Sequence, residues 1–121
     1  MYHDFIGVYE KFVDSNLCDW IIDFIERSPH VIPRKFNFVN DKQICMDAFS
    51  PGEAQALNGY VNECLKEYSE EYVYLQQQRF ISSLTLLQKT EPTKGYHHFH
   101  SENTGWVTST RIMAWMVYLN D

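Results

Sequence analysis

The segment TRIMAWMVYLN (110–120) is apolar on both faces if it is extended. Ile112, Ala114, Met116 and Tyr118 alternate with Met113, Trp115, Val117 and Leu119. A strand of that kind needs cover above and below, so it belongs inside a layered sheet or a barrel. At the terminus of a domain it would leave an open edge, which folded proteins usually cover.

The stretch before it supplies the helices. Ser50-Pro51-Gly52-Glu53 is a helix start: the serine caps, proline suits the first helical position, and a glutamate three residues on can reach back. Leu57, Tyr60, Val61, Cys64, Leu65 and Tyr68 follow with the rhythm of one buried helix face, which predicts a helix to about residue 75. A second helix is expected over 17–28, capped by Ser15, with Leu17, Ile21, Phe24 and Ile25 inward and Pro29 beyond its end. FIGVYEKFV (5–13) reads as a first strand, and 30–49 as loops with at most a short strand. From Arg79 the pattern turns to strands: FISSLTLLQKT (80–90), a turn at EPTKG (91–95), then 110–120. Helices first and strands later give an α+β domain, with 1–78 as a helical support region and 79–121 as core strands.

A net charge of −6, with Lys and Arg scattered, excludes a phosphate-gripping basic face or a polybasic membrane patch. No run approaches the length of a membrane span. Cys18, Cys45 and Cys64 have no metal-type spacing, and Cys18 and Cys64 fall on apolar helix faces, as reduced buried thiols do. A cytoplasmic setting is the expectation.

GYHHFHSE (95–102) places His97, His98 and His100 within four positions and ends on Glu102. In an extended chain Tyr96, His98, His100 and Glu102 share one face, and His100 and Glu102 lie roughly 6–7 Å apart along it. One imidazole and one carboxylate suit a borderline divalent metal such as Fe(II). A His-x-Glu pair by itself is also common on plain protein surfaces. By spacing alone His98 is a ligand, a pH-sensitive neighbour or an exposed residue. A structural zinc site lacks a nearby cysteine.

LLQKTEPTKGYHHFHSE followed by TRIMAWMVYLND resembles the 2-oxoglutarate- and Fe(II)-dependent dioxygenases of the prolyl 4-hydroxylase type, in particular a small form found in phage and marine bacterial sequences. Gly95, Tyr96, His97, Phe99, His100 and Glu102 carry the first part of the likeness, and Arg111, Tyr118, Leu119 and Asn120 the second. The resemblance implies N-terminal helices packed on a double-stranded β-helix, or jelly-roll, core that is incomplete in this chain. It makes His100 and Glu102 iron ligands, and Tyr118, Met116 and Tyr96 the lining of a 2-oxoglutarate pocket. Fe(II) and 2-oxoglutarate are then the cofactors, with ascorbate as an accessory reductant, O₂ as co-substrate and a peptidyl proline as the substrate class. For Tyr118 and Met116 plain core packing is the competing reading. Arg111 is expected to serve structurally at the start of its strand, with Met113 and Trp115 in the core.

Two departures accompany the likeness. Glu102 stands where most of the wider superfamily has aspartate, which moves the oxygen but not the donor type. The Gly-Gly turn, distal histidine and Arg or Lys that such enzymes carry after the Tyr-Leu-Asn strand are not among these residues, and His3 and His30 lie upstream. The expectation is therefore an N-terminal portion of a longer dioxygenase, inactive as a 121-residue piece. The alternative is a non-enzymatic metal-binding or sugar-binding jelly-roll module.

Overall fold

The computed structural model describes residues 1–36, 39–96 and 100–120, with the backbone alone for Phe36 and Tyr96. Among the described residues the chain is α+β, with three helices and two small antiparallel sheets.

The first sheet is a hairpin of β1 (Tyr2–His3) and β2 (Ile6–Gly7), joined by Asp4 and Phe5. Both linking residues have positive φ, +46° and +67°, as a tight two-residue hairpin turn requires. Phenylalanine is strained there. The helix behind supports it: the Tyr68 hydroxyl donates to the Phe5 carbonyl at 2.5 Å, and Tyr72 lies against the Phe5 ring. Tyr9, just past the hairpin, donates to the Cys64 carbonyl at 3.1 Å, and burial pushes its phenol above the usual range. The strand expected over 5–13 is thus formed only at Ile6–Gly7.

Helix α1 (Ser15–Arg27) begins two residues earlier than the expected 17 and ends one residue before the expected 28. Asp14, not Ser15, is the cap, accepting from the Asn16 and Leu17 amides at 2.8 and 3.2 Å. A carboxylate there satisfies two end amides and also meets the positive end of the helix dipole. Ser28 closes the other end through its amide on the Phe24 carbonyl, with Pro29 next.

The region 30–49 holds more order than its irregular apolar pattern showed. β3 (Ile32–Phe36) and β4 (Val39–Cys45) form an antiparallel pair, followed by the single turn α2 (Met46–Phe49). So the expected helical support region, 1–78, also carries strands β1–β4. Helix α3 (Pro51–Glu71) starts at the predicted proline and gives way to a 3-10 turn at Val73–Gln77. The expected side-chain caps on backbone amides are not made; Ser50 Oγ instead donates to Glu53 Oε2 at 2.5 Å. Its expected inner face, from Leu57 through Tyr68, is buried or half-buried throughout.

β4 is the centre of the second sheet, with β3 on one side and β5 (Leu86–Lys89) and β6 (Gly95–Tyr96) on the other. Ile44 and Leu87 face each other across the β4–β5 pair, and that face meets the helices. Ile21 and Ile25 of α1, Met46, and Ala54 and Leu57 of α3 complete the buried cluster with them. Lys89, beside Leu87 on the strand, ties the sheet to α1 through Glu26 at 2.7 Å.

Thr85 fixes where β5 begins. Its amide donates to Asp47 Oδ2 at 2.7 Å and its carbonyl accepts from the Met46 amide at 2.9 Å. Asn58 Nδ2 reaches its hydroxyl at 2.8 Å. Residues 80–84, expected to be strand, carry no strand pairing among the described residues, and β5 runs over Leu86–Lys89. Cys18 and Cys64 sit half-buried on their helices, and burial first, then neighbouring carboxylates, push both thiols up. No described helix is long and apolar enough to cross a membrane.

On the other side of β4, Arg34 grips Asp41 from the directly opposed position on β3, with Nε on Oδ1 at 2.7 Å and Nη2 on Oδ2 at 2.5 Å. The Asp41 side chain is 1% exposed and that of Arg34 is 15%. Removing one member of a buried pair strands the other charge. Asp41→Ala is expected to cost about 3–5 kcal/mol, read as a lowered urea midpoint. The double variant Arg34→Met with Asp41→Leu should recover most of the loss.

Candidate functional site

β5 and β6 are one strand interrupted. Lys89 lies opposite Lys42, and Gly95 lies opposite Asn40. On β4 only Asp41 separates those partners, whereas on the other strand residues 90–94 bulge out. Glu91-Pro92-Thr93-Lys94 shapes the bulge: the Lys94 amide donates to the Glu91 carbonyl at 3.0 Å, with Thr93 at φ +67°. Proline second and a positive φ third is the pattern of a type II turn. Gly95, at φ +102°, then returns the chain to the sheet, and a Cβ there would meet Thr90 Cγ2 at 3.1 Å. The turn expected at 91–95 is therefore present, and it delivers Tyr96 opposite Val39.

His97, His98 and Phe99 lie outside the described residues, as does the Tyr96 side chain. The expectation that His98 shares a face with His100 lies outside them too. Beyond, His100 Nε2 and Glu102 Oε1 are 3.1 Å apart, both side chains about half-exposed. The expected pair is thus brought together at hydrogen-bond distance. A ring N–H on Nε2 donates to the carboxylate in this arrangement, and both atoms belong to donor types that ligate metals. As a half-exposed ion pair the contact adds at most about 1 kcal/mol to stability.

Arg111 returns to the same carboxylate. Residues 105–111 wind back through successive short bonds: Thr108 to Gly105 at 3.1 Å, Ser109 to Trp106 at 3.4 Å and Arg111 to Thr108 at 3.0 Å, each amide donating to the earlier carbonyl. Arg111 Nη1 then stands 3.8 Å from Glu102 Oε2. One carboxylate oxygen faces the imidazole and the other faces a guanidinium. Sequence reasoning gave Arg111 a generic role and missed this pairing; no local spacing signals a contact across a nine-residue turn.

The segment expected as a strand over 110–120 has no strand pairing among the described residues. Its period of two is nevertheless present. Ile112, Met116 and Tyr118 are 67%, 76% and 82% exposed, against 38% and 36% for Met113 and Trp115. Met113 and Trp115, expected in the core, lie outside the buried cluster and stay exposed; only Val117 and Leu119 of this described segment pack on it. Met116 and Tyr118 lie on one side as expected, with the Tyr118 hydroxyl 4.0 Å from Met116 Sδ. Their plain core-packing reading is not what the structure has: both face outward. Among the described residues, no group of three or more His, Cys, Asp or Glu is placed to hold a metal ion.

Comparison with protein-family models, curated proteins and solved structures finds no match to this chain.

Gly95→Ala tests how the bulge positions the site. The positive φ costs an L-residue about 1–2 kcal/mol, and the new methyl group also crowds Thr90. Denaturant titration should show that loss, and amide exchange at Gly95 and Tyr96 should quicken more than at Leu86–Lys89.

Proposed function

We propose that this chain carries ligand and cosubstrate residues of a non-haem Fe(II)- and 2-oxoglutarate-dependent dioxygenase of the prolyl 4-hydroxylase type, on a jelly-roll core. The observation that carries the reading is the 3.1 Å approach of His100 Nε2 to Glu102 Oε1. Two donors each about 2.1 Å from one ion and at right angles are about 3 Å apart. The pair therefore has the spacing of neighbouring corners of a metal polyhedron, and its donor types suit ferrous ion. The likeness of GYHHFHSE and TRIMAWMVYLND to that family supports the same assignment.

In this reading bound iron supplies dioxygen activation, coupled to conversion of 2-oxoglutarate to succinate and CO₂ and to hydroxylation of a C–H bond. His100 and Glu102 hold the ion, together with a third donor that the described residues do not bring to the pair. The Tyr118 phenol donates a hydrogen bond to a carboxylate of the cosubstrate, Met116 beside it provides an apolar wall, and Tyr96 borders the pocket. Arg111 would steady Glu102 through Oε2, leaving Oε1 beside His100. The choice of a peptidyl proline as substrate rests on the resemblance alone.

Mn(II), an EPR-visible stand-in for Fe(II), tests the ligand pair without requiring turnover. His100→Ala and Glu102→Ala should each weaken binding by about tenfold or more. His3→Ala, at an exposed histidine paired with Asp4, should leave it unchanged. Equal affinity in all three variants overturns the proposal.

Adding 2-oxoglutarate to the Fe(II)-loaded protein under anaerobic conditions should produce a weak visible charge-transfer band. Tyr118→Phe should raise the concentration needed by about fivefold, the worth of one hydrogen bond. Metal binding with no response to 2-oxoglutarate would instead mark a non-enzymatic metal module.

A further inference from the structure

We propose that the cleft at the C-terminal end of α1 binds an uncharged carbohydrate, independently of the His100–Glu102 pair. The cleft, open to solvent on one side, spans about 430 Å³ between α1 and the end of α2. Two ring pairs line it. Trp20 and Phe24, one helical turn apart, stack at 5.3 Å with planes 13° apart. His30 and Phe49 stack at 4.4 Å, also 13° apart.

Trp20 and Phe49 remain nearly half-exposed, although each has a stacking partner. Phe24 also packs against the buried core cluster, whereas Trp20, His30 and Phe49 are not part of that packing, so the core accounts for only one of the four rings. Flat apolar faces beside a polar edge are what the face of a pyranose ring and its hydroxyl rim complement.

Charge decides between ligand classes. Asp23 and Arg27, both in the lining, pair at 2.9 Å and neutralise each other. A cation would meet the guanidinium and an anion would meet the carboxylate, so the site favours a neutral guest. Asp23 can only accept hydrogen bonds and Arg27 can only donate them. Adjacent hydroxyls do both and can satisfy the two at once. A proline-rich segment, the other neutral partner for aromatic rings, offers carbonyls to Arg27 but no N–H to Asp23. It would desolvate the carboxylate without replacing its water.

The indole N–H signals of the protein in ¹H–¹⁵N spectra test this. It has three tryptophans, and Trp20→Phe identifies the relevant peak. The probes are cellotetraose, maltotetraose and mannotetraose, with decaproline and acetylcholine as rivals. The expected result is a saturable shift of the Trp20 signal with at least one sugar, with a dissociation constant on the order of 1 mM.

Asp23→Ala, a change at an exposed helix position, should weaken that binding about tenfold while the circular dichroism stays the same. No shift with any of the sugars, a shift with decaproline or acetylcholine alone, or unchanged sugar binding in Asp23→Ala would each overturn the assignment.

Discussion

The path of the chain toward its histidine segment depends on how Thr85 is held. Its amide, carbonyl and hydroxyl are each committed, to Asp47, the Met46 amide and Asn58. All three partners sit on or beside helices α2 and α3. Buried polar groups are costly to leave unmatched, so this residue has one low-energy position relative to the helices. With Thr85 fixed, Leu86 falls opposite Cys45 and Leu87 opposite Ile44. A slip of one residue would turn Leu87 to the far side of the sheet and pull it out of the cluster with Ile21 and Met46. Polar anchoring and apolar burial thus enforce the same register, and the segment carrying His100 continues from it.

Where local chemistry determines structure, the sequence was legible. The Ser50–Glu53 start, the spacing from Leu57 to Tyr68, the turn at Glu91–Gly95 and the alternation of Met113 to Leu119 all depend on neighbours in the chain. The adjacency of His100 and Glu102 is of the same kind. The features that were not legible depend on partners far away in sequence. The β3–β4 hairpin contains Pro33, Arg34, Asp41 and Lys42, a poor alternation, because one of its faces is held by an ion pair and not by apolar packing. The cap of α1 moved to Asp14 because serine and aspartate compete for the same amides and the charged group is the better acceptor. The strand expected at Phe80–Leu84 has apolar residues of suitable type, but Ile81 and Leu84 are exposed to solvent and no strand among the described residues pairs with them. β-propensity expresses a fit to a neighbouring strand, and by itself does not provide one.

At the candidate site, electrostatics and geometry pull in different directions. The 3.1 Å separation suits two donors converging on a cation, while Arg111 brings a positive charge to the same carboxylate. Because Arg111 addresses Oε2 and His100 addresses Oε1, both demands are met by one side chain. Glutamate has the reach for this arrangement, with one more rotatable bond than aspartate. The half-exposure of the pair keeps the competing attraction weak, since water screens it. The outward-facing Met116 and Tyr118, by contrast, gain nothing from the core beneath them. Their neighbours Val117 and Leu119 hold the segment down and leave those two side chains available to whatever lies above.

The bulge between Lys89 and Gly95 separates two quantities that ordinary strands lock together: the phase of the side chains and the length of the chain. Within a continuous ladder, an extra residue would invert every position downstream. Here hydrogen bonding stops at Lys89 and resumes at Gly95, so a lengthened or shortened bulge could leave both paired portions in place. Diversification of this protein can therefore alter the rim near Pro92 and Thr93 while Gly95 keeps its place opposite Asn40.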